Sequence, residues 1–292
     1  QGEEGADAAS RPLSDLRRYR KFATHSTGPA VLNAMSWQLP ALLLGAFFSA
    51  GVVGLYALTM KVIQTPVGLV HQAISQVFYR EVAAARTDGT LDRLVGDLFT
   101  SLSKAALLPC LLLFIAGRNL FVFIFGPAWD QAGLFAQILA PWVFVWFITS
   151  PLSVIYLALE RQEEEIKVQS TIFAARCLSL LLGGYTGNPV VAVTLFALSG
   201  VLAYTYLFFV ICKCAEIHAL QTVVKALPNV AAALLCAIPS AVVVLIRMPQ
   251  LAILTIVFCT ALAHTVFLMR YMKGDPSFTR KQQVCMASLT DS

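Results

Sequence analysis

Charge is scarce in this sequence: Asp, Glu, Lys and Arg make up 13% of its 292 residues, against roughly a quarter in a soluble globular domain. With 58% hydrophobic residues and a mean hydropathy of +0.74, that scarcity excludes an ordinary soluble fold. Acidic catalytic motifs are also missing. There is no DxD, no HExxH and no GxSxG, and the carboxylates lie in loops or, like Asp97, at a membrane edge, so catalytic chemistry has no visible home. The seven cysteines are odd in number and sit mostly within or beside apolar runs, which implies neither a disulfide framework nor a metal site. Cys212 and Cys214 lack a second Cys or His pair at matching spacing, so no metal and no cofactor is expected.

What the chain has in abundance is long apolar runs. A bilayer core about 30 Å thick takes about 20 residues of helix, and eight runs of that order are present. They fall near 29–48, 51–72 with a helix extending toward 79, 97–117, 134–158, 166–185, 189–211, 226–246 and 250–270. The expected class is an all-α integral membrane protein with about eight transmembrane helices, residues 1–28 forming a cytoplasmic connector and 273–292 a cytoplasmic tail. The opening "QGEEGADAAS" has neither Met nor a signal peptide, and it reads as the start of the C-terminal part of something longer.

The basic residues test this partition independently. With both termini inside, Arg11, Arg17, Arg18, Arg20, Lys21, Arg80, Arg86, Arg93, Arg161, Lys167, Lys213, Lys225, Arg270, Lys273, Arg280 and Lys281 all fall on the cytoplasmic side, and only Arg118 and Arg247 fall outside. The net charge of +5 thus faces anionic membrane lipids; cations scattered between spans argue against nucleic acid as a partner.

Three cations remain inside spans: Lys61, Lys104 and Arg176. Lys61 and Arg176 are each about ten residues from a span end, hence about 15 Å deep. Such a cation costs about 2.5–3.5 kcal/mol on insertion scales, which points to use by an anion or a hydrated cavity, or to pairing with protein carbonyls. Lys104 lies about two turns from the cytoplasmic end and can snorkel.

On the second span Lys61, Gln64, Thr65, Gly68, Gln72, Ser75, Gln76 and Tyr79 recur at helical spacing on one face. Asn33, Ser36 and Trp37 continue the polar stripe on the first span, and Gln169, Arg176 and Ser179 on the fifth. Gly, Ser and Thr in such a stripe also fit plain helix contacts; Gln and Lys fit them less well. The last two spans carry few polar groups and read as peripheral. Prolines 40, 66, 109, 141, 151 and 239 fall within spans, where each removes a backbone hydrogen bond and favours a bend. His71 and His264 are weak signals, since a lone His more often packs than titrates.

Residues 19–83, from "YRKFATHSTGPAVLNAMSWQLP" to "HQAISQVFYREVA", with "IFGPAWDQAGLFAQILAPW" at 124–142, resemble the second half of a bacterial polysaccharide exporter. The type is the O-antigen flippase of the multidrug/oligosaccharidyl-lipid/polysaccharide superfamily. The resemblance runs from about Tyr19 to Lys167.

It implies two helical lobes around a central cationic cavity in the bacterial inner membrane, through which a polyprenyl-diphosphate-linked oligosaccharide passes by alternating access. Residues 29–213 would then be the second lobe of a two-lobe flippase, 214–272 two trailing helices, and the N-terminal lobe would be a partner absent from this sequence. Polysaccharide polymerase machinery is a further implied partner. Lys61, Gln64, Gln72, Arg176, Lys104 and Asn33 are the expected cavity residues, the cations for the diphosphate and the amides for sugar. The alternative from another class is a membrane-embedded polymerase or transferase of lipid-linked sugars.

Overall fold

A computed structural model of the chain describes residues 31–274. The connector, residues 29 and 30 of the first expected span, the tail from 275, and a few side chains within the second helix, Gln76 and Arg80 among them, lie outside the described residues.

The described chain is helical from end to end. The helices are α1 (Val31–Phe47), α2 (Ala50–Asp88), α3 (Leu91–Phe125), α4 (Asp130–Thr149), α5 (Val154–Ala158), α6 (Gln162–Tyr185), α7 (Pro189–Cys214), α8 (Ala219–Leu245) and α9 (Gln250–Gly274). Seven spans among them are long and apolar enough to cross a membrane, and α1 adds a shorter apolar helix. The chain is a multi-pass, all-α membrane protein.

Helix ends follow local chemistry. Ser49 and Asn188 cap α2 and α7, each side chain accepting from a backbone N–H two or three residues on, and Pro189 opens α7 where its missing N–H costs nothing. Gly89 closes α2 in the left-handed region at φ 68, returning its N–H to the Ala85 carbonyl.

Two elements differ from the expected spans. The helix of the second span does not stop near 79: at 39 residues α2 is about 58 Å long, well beyond a bilayer core, and it continues through Pro66. The run 134–158 is not one helix but α4, a 3-10 turn at Ser150–Ser153, and α5. Pro151 supplies the reason, because it lacks the N–H that would bond the Phe147 carbonyl one turn back and continue the α-helical ladder, although Ser150 itself keeps helical backbone.

The core is centred on α4, which packs against α2, α3 and α7 and fully buries Phe135, Leu139 and Trp142. Glycines set the closest crossings. A Cβ at Gly133 would stand 2.6 Å from the Arg118 Cα, and one at Gly117 would stand 2.9 Å from the Gly133 carbonyl, so α3 and α4 meet backbone to backbone. A second apolar cluster joins Leu108, Leu112 and Ala116 of α3 to Ala237 of α8 and Val257 of α9. Of the long helices α8 and α9 bury the least, and their outer residues, such as Leu235, Leu245, Leu251 and Phe258, are exposed.

Three helix-ending turns place a non-glycine residue in the left-handed region: Glu160 (φ 56), Glu216 (φ 58) and Arg247 (φ 52). An L-residue there costs about 1–2 kcal/mol that glycine avoids. Arg247→Gly, on an exposed turn, is therefore expected to stabilise the protein by about 0.5–1 kcal/mol. A rise of a few degrees in the thermal midpoint in detergent checks it; an unchanged or lower midpoint contradicts the strain.

Candidate functional site: an aromatic and amide-lined cleft

Pro40 begins the site by what it lacks. Without an N–H it cannot bond the carbonyl of Ser36, one turn earlier in α1. Arg176 of α6 fills the vacancy: its Nη1 donates to the Ser36 carbonyl at 3.1 Å and to Ser36 Oγ at 2.7 Å, and Nη2 donates to the Tyr204 hydroxyl of α7 at 3.2 Å. One guanidinium thereby ties α1, α6 and α7 together.

Aromatic rings surround that cation. Its Cζ lies 4.7 Å from the Trp37 ring centre and 5.8, 5.8 and 5.9 Å from those of Trp142, Phe196 and Tyr204, distances at which ring quadrupoles attract a cation. Gly200 makes room for the cluster, since a Cβ there would stand 2.4 Å from Trp142 Cδ1. Arg176 is 1% exposed. The pairing with a protein carbonyl, one of the two roles open from the sequence, is the one the structure displays; the side chain does not line a cavity.

In front of this cluster a cleft of about 600 Å3 opens between α1, α2, α6, α7 and the Ser150–Ser153 turn. Trp37, Tyr56, Trp146 and Tyr204 supply its aromatic surface. Asn33, Gln38, Gln64 and Gln169 bring amides, and Ser150, Ser153, His71 and Glu165 complete the polar lining. His71 Nε2 lies 3.3 Å from Ser150 Oγ. Among the described residues, Lys and Arg are absent from the lining.

The six residues expected to share a cavity are thus divided. Asn33 and Gln64 line the cleft, whereas Arg176 is sealed behind Trp37 and Tyr204. Lys61 and Gln72 are exposed on α2 outside the lining, and Lys104 is half-buried on α3, where His264 of α9 approaches its backbone. The cleft face of α2 runs through Ala57, Met60, Gln64, Gly68 and His71, so it shares Gln64 and Gly68 with the polar stripe but is rotated away from Lys61, Thr65 and Gln72. Polar spacing marks a face only to within half a turn. Glu165, Trp146, Tyr204 and Gln38 went unnoticed because each stands in a run that reads as ordinary span or loop; Gln38, beside Trp37 on the first span, was the available signal.

Residues 9–133 match the model of a family described as "polysaccharide biosynthesis protein". Among solved structures the fold is similar to a lipid II flippase, MurJ, in an inward closed conformation, with a TM-score of 0.63 at 12% identity over 89% of this chain. The chain spans 56% of that flippase's length. A comparison with curated protein sequences finds no match. Residues 9–133 of the chain thus match a polysaccharide biosynthesis family, and the helical fold is similar to that of a lipid II flippase.

Proposed function

We propose that this chain is the second lobe of a flippase for polyprenyl-diphosphate-linked oligosaccharide, an O-antigen, capsule or exopolysaccharide repeat unit, in a bacterial cytoplasmic membrane. Residues 29–213 form the lobe and 214–272 the two trailing helices, with both termini on the cytoplasmic side. The chain acts as a transporter, not an enzyme.

The observation that carries this reading is the cleft chemistry. Sugar rings present C–H faces that pack on aromatic side chains and hydroxyls that exchange hydrogen bonds with amides, and this lining offers both within a volume ordinary for a small-molecule site. The family match and the flippase fold support the same cargo class.

The lining also redistributes the roles expected from the sequence. A lining that holds no Lys or Arg among the described residues suits the sugar, and the diphosphate is assigned to Lys61, exposed on the adjoining face of α2 outside that lining. Asn33 and Gln64 hold sugar hydroxyls; Gln72 and Lys104 flank the route; Arg176 fixes the wall.

The test joins this chain to its N-terminal lobe, expresses the two together in an export-deficient bacterium and compares wild type with Asn33→Leu/Gln64→Leu, Lys61→Ala and a Leu69→Ala control. At equal protein level, the first two variants are expected to lower surface polysaccharide at least tenfold and to accumulate lipid-linked precursor, while the control exports normally. Normal export by both variants would remove the cleft and Lys61 from the transport path.

A further inference from the structure

A second cavity, of about 570 Å3, opens at the end of the bundle where the α2–α3, α5–α6 and α7–α8 turns gather. Arg86 from the last turn of α2, Arg161 from the α5–α6 turn, His218 from the α7–α8 turn and Lys225 from α8 line it, with the carboxylates of Asp92 and Glu216. Cations from three separate parts of the chain converge on one concavity.

Like charges held together repel, and here their neutralisation is incomplete. Three permanent cations face two carboxylates in the lining; Glu164 on α6 also feels Arg161 but is paired with Lys167, and among the described residues Arg86, Arg161 and Lys225 form no ion pair and no side-chain hydrogen bond. The backbone adds to the same field. His218 precedes α8 without a side-chain cap, and the first turn of α8 holds no acidic residue, so its free N–H groups stay open beside Gln221 and Lys225.

Two of the strained turns build the rim. With Glu160 and Glu216 in the left-handed region, the Arg161 N–H reaches back to the Tyr156 carbonyl and the Ile217 N–H to the Cys212 carbonyl, both at 2.8 Å. These reversals carry Arg161 and His218 to the mouth of the cavity. Strain retained at two of its edges fits a site whose geometry matters.

We infer that this cavity binds a phosphate-bearing anion, with Arg86, Arg161 and Lys225 as its charge partners and the α8 N-terminus as a backbone donor. Two sources share that chemistry: the headgroup of an anionic membrane phospholipid and a soluble phosphate. The inference is independent of the cleft and of what the cleft carries.

The experiment uses native mass spectrometry of the protein in phosphatidylcholine nanodiscs, with phosphatidylglycerol added in one arm and inorganic pyrophosphate in the other. Arg86→Gln/Arg161→Gln/Lys225→Gln is compared with Arg118→Gln/Arg247→Gln, which removes two cations elsewhere on the chain; all five side chains are exposed, so both variants are expected to fold. The wild type is expected to retain one or both ligands, and the cavity variant to lose at least tenfold in occupancy while the Arg118/Arg247 variant does not. Loss in the phosphatidylglycerol arm assigns the site to lipid, and loss in the pyrophosphate arm to a soluble phosphate. Equal binding by all three proteins, equal loss in both variants, or no binding to wild type would overturn the inference.

Discussion

Arg176→Ala is expected to destabilise the folded protein by about 4 kcal/mol, because it removes a large buried side chain and orphans its partners in one change. Ser36 is fully buried, and its carbonyl has no helical donor because residue 40 is proline. The rings of Trp37, Trp142, Phe196 and Tyr204 lose the cation they enclose, a contact worth about 2 kcal/mol when desolvated. Arg176→Met refills the volume and leaves the carbonyl unsatisfied, so about half that loss is expected. Thermal unfolding in detergent, followed by size exclusion, reads both.

A double-mutant cycle isolates the cause. Pro40→Ala restores an N–H that bonds the Ser36 carbonyl, so Arg176→Met is expected to cost less in that background by about 1 kcal/mol. Strict additivity would show that the guanidinium does not answer the proline.

Gly183→Ala is the second large effect. Its Cβ would stand 2.4 Å from the Ala192 Cα and 2.9 Å from its Cβ, where α6 crosses α7. The obstacle is backbone, which no rotamer change clears, so α6 must shift from α7 at a cost of about 3 kcal/mol. Because Arg176 stands on α6 two turns before Gly183, the same shift pulls its guanidinium from Tyr204. Gly54→Ala is the control: nothing lies within 4 Å of its Cβ, and helix propensity favours alanine by up to about 1 kcal/mol. The pair is expected to move the thermal midpoint in opposite directions, and a Gly183→Ala protein as stable as wild type would contradict the tight crossing.

The residues show how far a sequence reading reaches. Apolar length placed the spans because bilayer thickness constrains it; most helices begin within four residues of the expected positions, while α3 begins six and α8 seven residues earlier, where polar first turns precede the apolar run. The extension of α2 to Asp88 was less visible, since beyond 79 the helix is amphipathic and charged and no longer reads as a span. For the cleft, Asn33 and Gln64 were legible as amides in apolar helices. Lys61 and Arg176 looked alike from depth alone, yet one is exposed and the other sealed among rings. That difference comes from Pro40, Gly200 and four aromatics on α1, α4 and α7, a convergence no single-helix pattern contains.

The measurement that tests the central claim most directly is site-specific photocrosslinking in cells that make lipid-linked oligosaccharide. A benzophenone side chain replaces Gln64 in the cleft, or Leu69, five residues on and exposed outside its lining. The account expects a crosslink to the sugar portion at position 64 and none at 69. Sugar captured equally at both positions, or only at 69, would contradict the cleft as the path of the cargo.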